Sequence, residues 1–163
     1  IRDHFDRLDG LEVAIIGDIK HSRVARSNLL GMKALGMRVR VAAPDTLLPR
    51  ELETAYGCTI CDSVNQAVSG SHVVMVLRLQ RERMMAGNLP SLREYAIEYG
   101  VNAATLKNTR PDAILMHPGP LNRGVELSPD VADGSRSVIL DQVENGVAIR
   151  SAVLYLILGG EEP

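Results

Sequence analysis

Apolar residues fall in short bursts along this chain, separated by stretches in which they recur at helical spacing. Runs near 12–17 ("EVAIIG"), 38–43 ("RVRVAA"), 58–61 ("CTIC"), 72–77 ("HVVMVL") and 113–117 ("AILMH") read as strands. Segments near 22–35, 49–56, 63–69, 91–108 (in two pieces) and 141–158 read as helices. Ser22 is placed to cap the first helix and Gly36 to end it; Asp62 or Ser63 is placed to cap the third. Several strands are continuously apolar instead of alternating. That implies burial on both faces, hence a parallel sheet with helices on each side. The alternation of strand and helix predicts an α/β fold, a doubly wound, Rossmann-like parallel sheet of about five strands.

The ends break this pattern. The segment "IRDHFDRLDG" looks like the tail of a helix, so residues 1–10 are expected to be an interdomain helix or linker. Residues 11–140 form the expected α/β domain. Residues 141–163 are apolar over most of their helical turns and are expected to pack on another domain. The chain starts at Ile1, and we expect it to be a piece of something larger.

Composition narrows the function classes. At 45% hydrophobic residues, disorder is not the default. A net charge of −2 and only five aromatic residues (Phe5, Tyr56, Tyr95, Tyr99, Tyr155) argue against nucleic-acid binding, since few rings are available to stack on bases. No apolar run approaches the roughly 20 residues of a membrane span. We expect no membrane partner and a cytoplasmic location. Cys58 and Cys61 are spaced like half a zinc site, but no second ligand pair is visible. On a strand, positions three apart face opposite ways, so two partly buried free thiols are expected. No metal or cofactor is called for.

In open α/β sheets, ligands sit outside the carboxyl ends of the strands. Three of the loops that follow strands carry unusual content. After the first strand, "GDIKHSRVARSN" crowds Lys20, His21, Arg23 and Arg26 around a helix start. That end of a helix disfavours cations and attracts anions. Arg23 is a candidate anion clamp, its guanidinium offering a bidentate fork; the alternative is a solvated arginine or one paired with Asp18. Arg26 leans structural, and His21 stays open between structure and function. After the fourth strand, "VLRLQRERM" places Arg78 and Gln80 two apart. In extended chain both side chains point the same way and suit one carboxylate, whereas Arg81 and Arg83 read as solvated. After the fifth strand, "HPGP" sets Gly119 between Pro118 and Pro120. Prolines cannot donate backbone hydrogen bonds, and glycine permits close approach of a ligand. A stiff loop with carbonyls facing a ligand is expected there, with a cis Gly119–Pro120 bond. Together these loops describe a site for a small dicarboxylate. The first loop lacks the G-x-G-x-x-G pattern of a dinucleotide-binding turn, so a nicotinamide dehydrogenase is a poor second reading.

Four segments in order, "GDIKHSRVARSN", "VLRLQRERM", "HPGPLNRGVEL" and "VENGVAIRSAVLYLILG", resemble the C-terminal, aspartate-binding half of aspartate carbamoyltransferase catalytic chains. The likeness covers nearly the whole sequence. It is closer to this family than to the ornithine enzymes, which carry a cysteine after the histidine of the fifth-strand motif; here the pair is His117-Pro118. The resemblance implies transfer of a carbamoyl group from carbamoyl phosphate to L-aspartate, on the route to pyrimidines. It implies that Arg23, Arg78 and Gln80 bind L-aspartate, and that Gly119 and Pro120 face the carbamoyl group of carbamoyl phosphate. It also implies a homotrimer of full catalytic chains, with regulatory or dihydroorotase chains as further candidate partners. The family's phosphate-binding Ser-Thr-Arg-Thr-Arg stretch does not occur in this sequence, so the piece alone is expected to be inactive. The alternative is a stand-alone amino-acid- or anion-binding module without turnover.

Overall fold

The apolar run at the first strand becomes the centre of a five-stranded sheet. In a computed structural model that describes residues 1–80 and 91–159, β1 (Glu12–Ile16) pairs in parallel with β2 (Arg38–Ala42) on one side and β4 (Val73–Val76) on the other. β3 (Thr59–Ile60) adds outside β2 and β5 (Ile114–Met116) outside β4, giving the order β3-β2-β1-β4-β5 with every pairing parallel. The registers run Val13 against Val39 and Val73, and Ile16 against Ala42 and Val76. A strand buried on both faces must be apolar throughout. Val13 to Ile16 and Val73 to Val76 are accordingly all buried.

Odd and even positions then feed two cores. Val13, Ile15, Val41 and Met75 pack beneath α1 (Arg23–Ala34), α2 (Leu52–Tyr56) and α4 (Leu92–Glu98). Ala14, Ile16, Ala42 and Val76 pack against α3 (Val64–Val68), α5 (Ala103–Leu106), α6 (Pro129–Ala132) and the start of α7 (Ile139–Ile157). Cys58 joins the first core and Cys61 the second; both are free, and burial pushes both thiols up. The two cysteines, which flank β3, thus do face opposite sides of the sheet.

Sequence signals fix most boundaries. Ser22 Oγ accepts from the Ala25 N–H at 3.1 Å and starts α1; Ser63, not Asp62, caps α3 through the Gln66 N–H at 3.2 Å. The helix expected over 49–56 begins only at Leu52. A 3-10 turn at Asp45–Leu47 precedes it, and Arg50 reaches back to Asp45 at 2.6 Å. The four-residue α6 is too short to show a periodicity. Its one local signal is Pro129 at the first turn. The helical tail expected over 1–10 is a set of turns, with the Phe5 N–H donating to the Ile1 carbonyl at 3.2 Å. Phe5 packs edge-on to His72, their ring centroids 5.8 Å apart. Along α7 the apolar surface stays open: Val147 is 60% exposed and Ile157 74%. No helix among the described residues is long and apolar enough to cross a membrane.

Two positions generate predictions. Gly17 ends β1 at φ +116°, and a Cβ there would lie 3.0 Å from the Tyr95 hydroxyl and 3.1 Å from the Leu77 carbonyl oxygen. Gly17→Ala should cost about 1–3 kcal/mol of stability, read as a lower urea midpoint with an unchanged slope. The second position is His72, whose Nδ1 accepts from the Glu12 N–H at 3.0 Å. Burial, with help from the Arg110 guanidinium, holds this imidazole below the ordinary histidine range. Below about pH 6.5 the unfolded chain takes up a proton that the folded chain resists. This contribution should be complete above that pH and fade as pH falls. His72→Gln should flatten that part of the stability profile in a pH series of denaturation curves.

Candidate functional site

The strand order puts a switch point between β1 and β4. From β1 the chain winds outward through β2 to β3, then crosses back to β4 and continues to β5. At such a point the two flanking loops diverge and leave a crevice at the carboxyl ends of the strands. Those two loops are the ones that carry Arg23 and Arg78, and the loop after β5 adjoins them.

A buried carboxylate ties the first two loops together. Asp18, directly after Gly17, is fully buried. Its Oδ1 accepts from the His21 N–H at 3.1 Å and lies 2.9 Å from His21 Nδ1; its Oδ2 accepts from the Gln80 N–H at 3.4 Å. Gln80 Nε2 in turn donates to the His21 carbonyl at 3.4 Å. A buried carboxylate is costly unless its oxygens are paired, so this arrangement constrains both loops together. The third loop joins through Asn122, whose side-chain amide donates to the Leu79 carbonyl at 3.4 Å.

The predicted residues fall as follows. Arg23 is the first residue of α1 and is exposed; that first turn holds no acidic residue. Asp18, considered as its partner, bonds to His21 and Gln80 instead. Arg26 donates to the Lys20 carbonyl at 3.1 Å, which gives it a structural task. Arg78 is half-buried between buried Leu77 and Leu79, and Gln80 is half-buried again, the alternation expected of extended chain. Arg81 and Arg83 lie outside the described residues. Gly119 is half-buried at φ +64°, a conformation that favours glycine, and the Gly119–Pro120 bond is cis. Pro120 is exposed.

Three buried groups of the site were not predicted from sequence: His117, Glu126 and Tyr95. His117 Nδ1 accepts from the Gly119 N–H at 2.8 Å, and its Nε2 lies 3.3 Å from Glu126 Oε1. Glu126 Oε1 accepts from the Asn122 N–H at 2.6 Å. Tyr95 packs its hydroxyl against Gly17, stacks on Tyr99 at 5.7 Å, and makes no hydrogen bond through that hydroxyl among the described residues. Burial, reinforced by the Glu126 and Asp18 carboxylates, pushes its ionisation far above the usual tyrosine range, so the phenol stays protonated. His117 stands in a motif already singled out by its prolines. A buried glutamate has no local signature.

The arrangement gathers guanidinium and amide groups at one end of the sheet, with a glycine turn beside them. The family described as aspartate/ornithine carbamoyltransferase, Asp/Orn binding domain, matches residues 9–157. The chain is 56% identical over 162 residues to the aspartate carbamoyltransferase catalytic subunit of Syntrophotalea carbinolica, covering 99% of this chain and 51% of that protein. It is 56% identical over 155 residues to the catalytic subunit of Syntrophobacter fumaroxidans, covering 95% and 50%. Among solved structures it resembles the ornithine carbamoyltransferase of Thermus thermophilus, with a TM-score of 0.79 at 28% identity over 96% of this chain and 51% of that one. The chain therefore spans about half the length of the relatives it matches, and over that span it belongs to the aspartate/ornithine carbamoyltransferase family, as its Asp/Orn-binding domain.

Proposed function

We propose that this domain is the aspartate-binding half of a carbamoyltransferase that makes N-carbamoyl-L-aspartate for pyrimidine synthesis. The observation that carries the reading is the placement of exposed Arg23, at the start of α1, beside the loop bearing Arg78 and Gln80, with the two loops locked through Asp18. Two arginine forks on separate elements suit a ligand with two separated carboxylates. Ornithine carries one carboxylate and a distal cation, and has no use for a second arginine. Pro118 stands where ornithine enzymes carry cysteine, and the relatives named above are aspartate enzymes. The same relatives leave the binding-module reading without support.

In the reaction, the aspartate amine bonds to the carbamoyl carbon, the bond from that carbon to the phosphate oxygen breaks, and the amine gives up a proton. Arg23 and Arg78 hold the carboxylates, with Gln80 assisting after its amide leaves the His21 carbonyl. Gly119 and Pro120 face the carbamoyl group. Their part is orientation and stabilisation of developing charge by fixed dipoles. The phosphate is held by the other half of the longer chain. The open apolar face of α7 and the turns of residues 1–10 form the junction with that half, since a contiguous apolar surface calls for a cover. The family resemblance supports a cytoplasmic homotrimer of the full chain.

The test uses a full-length chain carrying this domain. Arg78→Lys should weaken kcat/KM for aspartate by about 2–4 kcal/mol, because a point charge cannot reproduce two parallel hydrogen bonds. Carbamoyl phosphate binding should barely change. Arg26→Lys, whose native contact is to the Lys20 carbonyl, should be nearly silent. The domain alone should form no carbamoyl-aspartate, and should gain activity on mixing with a separately made phosphate-binding half. Equal losses in both variants, or turnover by the isolated domain, would refute the assignment.

A further inference from the structure

The loop after β5 contains a second buried acid–imidazole pair, and it reaches the turn that the proposed function uses. His117 and Glu126 are both fully buried. The His117 backbone N–H is anchored to Gln142 Oε1 of α7 at 3.1 Å. Its Nδ1 accepts from the Gly119 N–H at 2.8 Å. A nitrogen that accepts carries no hydrogen, so a neutral His117 bears its proton on Nε2. That nitrogen lies 3.3 Å from Glu126 Oε1, although the N–H direction does not meet hydrogen-bond geometry and Glu126 Oε2 has no hydrogen-bond partner among the described residues. The Gly119 N–H, not the carboxylate, therefore sets the tautomer, and His117 Nε2 has no hydrogen-bond partner among the described residues. Glu126 is itself fixed, because the Asn122 N–H donates to its Oε1 at 2.6 Å.

We propose that His117 is a positioning residue for the transfer step: with Nδ1 accepting from the Gly119 N–H, it anchors the turn that presents the Gly119 carbonyl to the carbamoyl group. This rests on the reading of Gly119 given above. The mechanism is mechanical. A peptide unit is planar, so holding the Gly119 N–H fixes the plane of the Pro118–Gly119 unit, and only the φ and ψ of Gly119 separate that plane from the Gly119 carbonyl. Gly119, at φ +64° with nothing within 4 Å of where a Cβ would stand, has no side chain of its own to hold the turn. Gly119 is followed by a proline, which has no N–H to donate. The imidazole is the only side chain that accepts from the Gly119 N–H among the described residues. By way of Asn122 and the Leu79 carbonyl the same loop is tied to the strand end that carries Arg78 and Gln80, so the anchor sets the turn relative to the carboxylate-binding loops.

The full-length chain tests this in two ways. Selective nitrogen-15 labelling of the histidines reads the tautomer directly: His117 should be unprotonated at Nδ1 and protonated at Nε2 near neutral pH. The opposite tautomer, or a doubly protonated ring, would overturn the proposal whatever the activity. In kinetics, His117→Ala should lower kcat roughly 10- to 100-fold, with the KM for aspartate within about threefold, as expected when a reacting group is misplaced and carboxylate binding is intact. Asparagine keeps an acceptor at the Nδ1 position, so His117→Asn should recover most of kcat while losing as much thermal stability as the alanine variant. Equal kcat for the two variants, or a loss confined to KM, would overturn it. A wild-type full-length chain that forms no carbamoyl-aspartate would instead refute the proposed function beneath it, while the tautomer would still show whether His117 anchors the Gly119 turn.

Discussion

The Asp18 carboxylate is the constraint on which the site's geometry depends. It sits in a fully buried position at the end of the central strand, where an unpaired charge is prohibitively costly. Its oxygens are therefore occupied by the His21 backbone and ring on one side and the Gln80 backbone on the other. These are the loops that diverge at the switch point of the sheet. Sharing one carboxylate, the two loops are held in one fixed relation to each other. Gly17 favours this arrangement, because a Cβ there would crowd the Tyr95 hydroxyl and the Leu77 carbonyl and is strained at this φ.

The chemistry of the site follows from where the charges are left over. Asp18 takes up His21 and leaves Arg23 without an acidic partner on the first turn of α1. A helix start and a guanidinium both favour an anion, which is the basis of the carboxylate-binding role proposed for Arg23. Arg26, only one turn further, spends its guanidinium on the Lys20 carbonyl and so holds the loop's shape. Two arginines of one short motif thus divide the work, and the difference comes from which backbone oxygen lies within reach.

The buried acid–imidazole arrangement recurs after β5, where Glu126 and His117 stand to the Gly119 turn as Asp18 and His21 stand to the arginine loop. In both cases a buried carboxylate lies against an imidazole and accepts from a backbone N–H. The repetition makes physical sense: a loop at a strand end has few regular hydrogen bonds, and a buried carboxylate with several acceptor sites can satisfy the N–H groups that the ladder leaves behind.

How much of this was legible in the sequence differs by level. Continuous apolar runs such as Val13 to Ile16 gave the parallel sheet, because burial on both faces leaves no room for alternation. The caps at Ser22 and Ser63 were readable because they act within three residues. Arg23, Arg78 and Gly119 stand out as candidates because their loops follow strands and carry charge or glycine at the end of the sheet where ligands commonly bind. The short α6 and the turns of residues 1–10 escaped, since neither is long enough to establish a period. What the tertiary structure alone decided is the pairing. That Gln80 would donate to Asp18, 62 residues earlier, depends on β4 settling beside β1 and not beside β3. That Glu126 would be buried beside His117 depends on the loop after β5 folding back on its own strand. Sequence pattern records each residue's preference for water or core and the turns of its immediate neighbours. Which buried acid meets which imidazole is set by strand order, and strand order is a property of the packed sheet.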